Sequence, residues 1–259
     1  KDKTMKKRLI LSVLLTAFLC GSSAFSQTKV IAHRGYWDCE GSAQNSITAL
    51  NKAHEVGVYG SEFDVLITAD GIPVVNHNDS IQGFCIETSL YEEIKDLKLK
   101  NGEVLPTLED YLIQGKQNKG TQLILEIKPH KRVVNEDRAV TAILALVQKY
   151  QLEDHVEYIS FSMNICKELI RRAPAAQVAY LRGEVSPADL KVLGFTGLDY
   201  HYKVFEKNPT WIQEAKNAGL TVNVWTVDDP AVMQSMIEQN VDFITTDKPE
   251  QLKEIVKKN

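Results

Sequence analysis

From residue 29 to residue 257 the chain alternates short, β-branched apolar runs with stretches whose apolar positions recur every three or four residues. The first pattern suits strands buried on both faces, and the second suits helices lying against a sheet. Strands are predicted over 29–32, 60–67, 122–127, 156–161, 177–181, 196–198, 220–226 and 243–245. Helices are predicted over 46–56, 108–114, 138–150, 165–172, 187–193, 209–218, 230–239 and 249–257, several opened by a proline, which fits a first helical turn. Eight strand–helix units of this kind imply a closed parallel (β/α)8 TIM barrel, an α/β fold.

One further apolar run, Ile72 to Asn76, follows the turn signal Ala69-Asp70-Gly71 directly after the second strand. That spacing predicts a β-hairpin excursion, antiparallel and outside the barrel count, which brings His77 back toward the second strand. Residues 80–105 lack helical periodicity and carry Gly83, Asn101 and Gly102 as breakers, so they read as a small insertion over the barrel mouth.

An apolar fraction of 44% and a charged fraction of 25% place the chain among soluble globular domains large enough for a full core. A net charge of -4 argues against broad nucleic-acid binding, which needs a basic face to release counterions. A small phosphate ester, needing only a few local cations, stays open. Met5-Lys6-Lys7-Arg8, the apolar run from Leu9 to Leu19 and the small residues around Ala24-Phe25-Ser26 read as a signal peptide over 5–26. That run is shorter than the ~20 residues of a membrane-spanning helix. The expectation is therefore an exported protein, periplasmic or secreted, whose one mature domain covers 27–259 with no stable membrane span. Cys39, Cys85 and Cys166 then remain, with free thiols the plain reading and a Cys39–Cys85 pair the alternative.

Candidate chemistry sits at the strand ends. In an extended strand Glu62 and Asp64 point to one face and Phe63 to the other, which supplies half of a hard-metal site. Glu126 and Lys128 interrupt an apolar strand and also share a face; such buried charge is costly unless partnered, and a cation and a phosphate are adequate partners. Because histidine's unperturbed pKa lies near ~6.5, His33, ahead of Arg34 and Gly35, and His77 can divide acid and base duties around neutral pH. An all-oxygen donor set of Glu62, Asp64 and Glu126 favours Mg2+ or Ca2+ over zinc. Together these residues predict a metal-dependent phosphodiesterase.

Ile31-Ala32-His33-Arg34-Gly35, Glu62-Phe63-Asp64-Val65, Thr68-Ala69-Asp70-Gly71, Val74-Val75-Asn76-His77-Asn78-Asp79, Pro106-Thr107-Leu108-Glu109, Leu125-Glu126-Ile127-Lys128-Pro129, Val224-Trp225-Thr226-Val227 and Thr246-Asp247-Lys248-Pro249 occur in this order. In that ordered set the chain resembles the glycerophosphodiester phosphodiesterase family over nearly its whole mature length. The resemblance implies a barrel enzyme that cleaves glycerophosphodiesters, small-molecule substrates, to sn-glycerol 3-phosphate and an alcohol. It implies one divalent cation on Glu62, Asp64 and Glu126, acid and base roles for His33 and His77, and phosphate contacts from Arg34 and Lys128. Trp225 would be either a core aromatic or an apolar wall beside the glycerol carbons, and His201 could touch substrate.

The family commonly carries Pro-Glu-Asn-Thr after the first strand, where this chain has Ala43-Gln44-Asn45-Ser46 behind a longer lead-in holding Tyr36, Trp37, Cys39 and Glu40. Gln44 removes a negative charge, for which Glu40 could substitute, and the aromatics could shape a different leaving-group pocket. Two other readings compete: a non-catalytic barrel that binds phosphodiester headgroups, and a phospholipase-type enzyme, which should show an exposed apolar rim that the insertion does not advertise.

Overall fold

The computed structural model describes residues 27–259; the leader read over 5–26, with Cys20, lies outside the described residues. Eight strands close the barrel: β1 (Lys29–Ala32), β2 (Gly60–Ile67), β6 (Gln122–Ile127), β7 (Val156–Ser160), β8 (Gln177–Tyr180), β9 (Gly197–His201), β10 (Thr221–Trp225) and β11 (Phe243–Thr246). Their order around the sheet is β1-β11-β10-β9-β8-β7-β6-β2, all parallel, and β1 pairs with β2 to close the ring. Outside them run α1 (Ile47–Val56), α3 (Leu108–Gln117), α4 (Val133–Tyr150), α5 (Met163–Arg172), α6 (Pro187–Val192), α7 (Tyr202–Lys207), α8 (Trp211–Asn217), α9 (Pro230–Glu238) and α10 (Pro249–Val256).

Strand alternation sorts the core into two layers. Phe63 and Val65 of β2, Leu198 and Tyr200 of β9, and Val222 and Val224 of β10 face outward into the barrel–helix core. The inward positions divide by height. Ile31, Ile124, Ile159 and Leu181 form an apolar cluster inside the barrel, while the inward acids sit toward the strands' C-terminal ends. Low-dielectric packing directly beside those acids strengthens every charge interaction they make.

Short β3 (Pro73–Val75) pairs antiparallel with β2, as the turn signal predicts. Its continuation is tied back where Asn76 N donates to Asp64 O at 3.0 Å, which carries His77 to the rim of β2. The insertion holds a small ribbon of β4 (Ser80–Ile81) and β5 (Phe84–Cys85), and α2 (Tyr91–Ile94). Ile81, Ile86, Ile94 and Leu105 bury themselves against Leu66 and Val74, a satellite core that anchors the insertion to the hairpin.

Differences from the sequence expectation are local. Helix α4 begins at Val133 rather than residue 138, β9 runs to His201 rather than ending at Leu198, and α7 was not expected. Pro209 lies outside α8, whereas Pro187, Pro230 and Pro249 do open their helices. Cys39, Cys85 and Cys166 are free thiols.

Candidate active site

Residues from six strand ends line one cavity: His33 and Arg34 after β1, Glu62 on β2, Glu126 and Lys128 on and after β6, Asp199 on β9, Trp225 on β10 and Thr245 on β11, with His77 from the hairpin. Glu62, Asp64 and Glu126 are buried, and one oxygen from each lies within 4.8 Å of the others. Register explains this: Asp64 stands opposite Glu126 across the β2–β6 ladder, with Glu62 two residues earlier on the same face.

Cations frame the acids. Lys128 Nζ donates to Asp64 Oδ1 at 3.1 Å and lies 2.9 Å from Glu126 Oε1, but off the hydrogen-bonding direction, so that oxygen has no bonded partner. Arg34 Nε is 3.7 Å from Asp64 Oδ2, and its own N–H is likewise unpartnered. Asn45 grips Asp64 twice: its Nδ2 donates to Oδ2 at 2.9 Å, and its Oδ1 accepts from the Asp64 amide at 3.0 Å. The chain turns sharply after β1 to make this possible. Arg34 and Gly35 both adopt positive φ, 55° and 74°, so that the Arg34 amide donates to Glu62 Oε2 at 2.7 Å. A left-handed arginine is a strained residue, and such strain concentrates at functional sites.

Burial pushes the Glu62 carboxyl far up, with the Asp64 and Glu126 charges adding to it. Glu126 is held up at about 7, first by burial and then by Asp64, against the pull of Lys128. Burial also opposes ionisation of Asp64, but Lys128, His77, Asn45 and Arg34 together hold it below its usual range. Three crowded acids, two of them reluctant to ionise and one with an orphaned oxygen, fit a hard divalent cation that would neutralise them.

The histidines stand on opposite supports. His33 Nδ1 meets Asp247 Oδ1 at 2.8 Å, and Trp37 Nε1 donates to the same oxygen at 2.9 Å. Burial works against that carboxylate, yet the bonds from His33 and Trp37 keep Asp247 below its ordinary value. His77 Nδ1 meets only the neutral Asn78 Oδ1, at 2.9 Å. Burial lowers the His77 pKa, and nearby Lys128 and Arg34 lower it further against the attraction of Asp64. Trp225 is half-buried; its Nε1 donates to the Asp199 carbonyl at 2.9 Å, and its ring meets Phe161 edge-on, leaving a face on the cavity. His201 sits outside the cavity lining: it caps α7 by accepting from Lys203 N and packs edge-on against Trp225.

The Glycerophosphoryl diester phosphodiesterase family profile matches residues 33–251. A glycerophosphodiester phosphodiesterase of Caldanaerobacter subterraneus is 31% identical over 248 residues, which are 90% of this chain and 99% of the relative. The chain belongs to the glycerophosphoryl diester phosphodiesterase family. Among solved structures, a glycerophosphodiester phosphodiesterase from Parabacteroides distasonis is 53% identical with a TM-score of 0.89, covering 90% of this chain and 98% of that one. A phosphodiesterase from Oleispira antarctica, solved with the product sn-glycerol-3-phosphate, is 25% identical with a TM-score of 0.77 over 89% of this chain and 97% of its own. As a family member the chain is an enzyme, which removes the purely binding barrel from the readings.

Within this phosphodiesterase the Gln44 departure is mild. Gln44 Oε1 accepts from Arg34 Nη1 at 3.0 Å, so the amide keeps a hydrogen bond to the arginine without the charge. Glu40 does not take over: it is exposed and lines a separate surface recess with Tyr36, Lys52 and Glu250. Sequence reasoning gave no role to Asn45, Asp247 or Asp199. The first two stand inside motifs already quoted, at positions where a polar side chain follows a strand. Asp199 was passed over for His201, its neighbour on the same face.

Proposed function

We propose that the protein hydrolyses glycerophosphodiesters to sn-glycerol 3-phosphate and an alcohol, with Glu62, Asp64 and Glu126 holding one divalent cation, Mg2+ or Ca2+. Bound there, the cation would draw charge from the phosphoryl oxygens and lower the barrier to attack at phosphorus. Arg34, whose buried Nε has no partner, and Lys128 point their charge at the same group and stabilise the pentacoordinate oxygens. His77, its pKa lowered by burial and by the nearby Lys128 and Arg34, takes the proton of the attacking group, either water or the glycerol 2-hydroxyl, which would give a cyclic phosphate that a water then opens to glycerol 3-phosphate. His33, oriented through Nδ1 by the Asp247 carboxylate, gives the proton on Nε2 to the leaving alkoxide as the bond from phosphorus to that oxygen breaks.

The leaving alcohol has a place to go. His77 also lines a second cavity of about 1010 Å3, shared with Trp37, Gln82, Lys98 and Lys100, which joins the insertion to the site. The lead-in aromatic Trp37 thus helps to form this pocket, while Tyr36 turns to Glu250 at 3.1 Å on another face. The observation that carries the reading is the convergence of Glu62, Glu126, Arg34, Lys128 and two histidines on one cavity at the strand ends, with Asp64 in the same acid cluster, where TIM-barrel active sites lie. Export through the 5–26 leader belongs to the same proposal.

A second reading has support of its own. Phe84 and Leu90 of the insertion and Val133 and Val134 of α4 are exposed apolar side chains. Glu87 links these segments, accepting from the Lys131 amide at 3.1 Å. Exposed apolar side chains on these segments suit lipid-attached headgroups.

The test is release of glycerol 3-phosphate from glycerophosphocholine and glycerophosphoethanolamine, with diacyl phospholipid vesicles alongside. Release from the water-soluble diesters, falling roughly 10^2- to 10^4-fold in kcat in His33→Ala and in His77→Ala, is expected. Release confined to vesicles would favour the lipid reading, and unchanged kcat in both variants would refute the acid–base assignment.

A further inference from the structure

Among the described residues, three buried side-chain atoms without hydrogen-bond partners belong to residues that line the catalytic cavity: Arg34 Nε, Glu126 Oε1 and Asp199 Oδ1. Buried polar atoms are nearly always paired, so orphans gathered in one cavity mark places that a ligand completes. The proposed phosphoryl group and cation account for the first two. Asp199 has no such assignment.

Its position is specific. Leu198 and Tyr200 of β9 pack outward among the helices, so Asp199 between them projects into the barrel, only 2% exposed. It lies on the side of the cavity formed by β9 to β11, facing Glu126 of the acid triad across it. Asn223, its register neighbour on β10, bonds Thr245 Oγ1 at 2.9 Å. Trp225, two residues after Asn223 on the same face of β10, lines the same cavity, and its Nε1 donates to the Asp199 backbone carbonyl at 2.9 Å. An apolar ring and an unpaired carboxyl oxygen in one cavity match a carbon chain bearing a hydroxyl.

We infer that Asp199 receives the terminal hydroxyl of the glycerol moiety and makes the enzyme selective for glycerol esters over esters that lack this group. The inference rests on the glycerophosphodiesterase reading and names its specificity residue. Burial holds the Asp199 carboxyl up at about 8; Asn223 pulls the other way, and the facing Glu126 and Glu157 add to the rise. That rise favours the protonated carboxyl, which can donate to a hydroxyl as well as accept from one. A substrate without that hydroxyl would leave the buried acid unpaired, worth roughly 10- to 100-fold in kcat/KM.

The experiment compares the glycerol diester with the matching propane-1,2-diol diester, which keeps the hydroxyl beside the ester carbon and lacks only the terminal one. The wild type should prefer the glycerol diester by roughly 10- to 100-fold in kcat/KM. In Asp199→Ala that ratio should fall toward one, with KM for the glycerol diester rising, and in Asp199→Asn, which still donates and accepts, much of it should return. Should the alanine variant not fold, Asp199→Val, nearer in volume, takes its place. Equal losses on both diesters would show a merely structural residue and overturn the inference, as would a wild type that does not discriminate or a variant that keeps the full ratio. Failure of the wild type to hydrolyse either diester would instead count against the glycerophosphodiesterase reading itself.

Discussion

A single residue in this barrel is legible from sequence when its neighbours fix its direction. Glu62 and Asp64 share a face because Phe63 must face the helices, and the same rule pairs Glu126 with Lys128. Asp199 obeys that rule too, but an isolated acid in a short strand offers no partner in sequence to mark it. Its raised pKa has a consequence for stability. The folded carboxyl titrates at about 8, against ~3.9 in an unfolded chain, so the fold binds a proton that the unfolded chain releases. Stability contributed by this group is whole below about pH 4 and is lost progressively as pH rises to about 8. Asp199→Asn should therefore gain stability over the wild type across that range, with the gap widest near and above pH 8. Urea denaturation near pH 5 and near pH 8 measures it, and a gap that does not widen would show that the acid is ionised in the fold.

At the scale of elements, the strands were legible because both faces are apolar, and the misplacements trace to contacts from distant sequence. Helix α4 starts early, at β-branched Val133 and Val134, where Glu87 of the insertion accepts from the amides of Lys131 and Arg132 just ahead of it. No local signal announces a cap supplied from so far away. Strand β9 looked short because its inward positions, Asp199 and His201, are polar and break the apolar run; α7 then follows without a loop, capped by His201 itself. The turn after β1 is the most constrained connection in the site. At Gly35, with φ +74°, an added Cβ would lie 2.6 Å from Ala49 Cβ in α1. Gly35→Ala must strain the backbone and displace α1, a loss of about 3 kcal/mol in chemical denaturation; a change under ~0.5 kcal/mol would show that the turn relaxes freely.

For the whole molecule, eight parallel strands closing through β1 and β2 bring residues more than 200 positions apart, His33 and Asp247, into one hydrogen bond. Barrel closure explains why motifs scattered along the chain form one cavity, and why strand counting foresaw the architecture while the carboxylate partner of His33 went unseen. The apolar cluster of Ile31, Ile124, Ile159 and Leu181 inside the barrel keeps the acids in a low-dielectric setting where three carboxylates repel strongly. That repulsion is the physical ground for the cation, and the cation is the centre of the proposal. The most direct measurement is glycerol 3-phosphate release by protein stripped with EDTA, as Mg2+ or Ca2+ is titrated back into wild type and Glu126→Gln. Turnover lost on stripping, restored by one of these ions in the wild type and not restored at the same concentrations in the variant is the predicted result; full turnover after stripping, or equal restoration of both proteins, would contradict it.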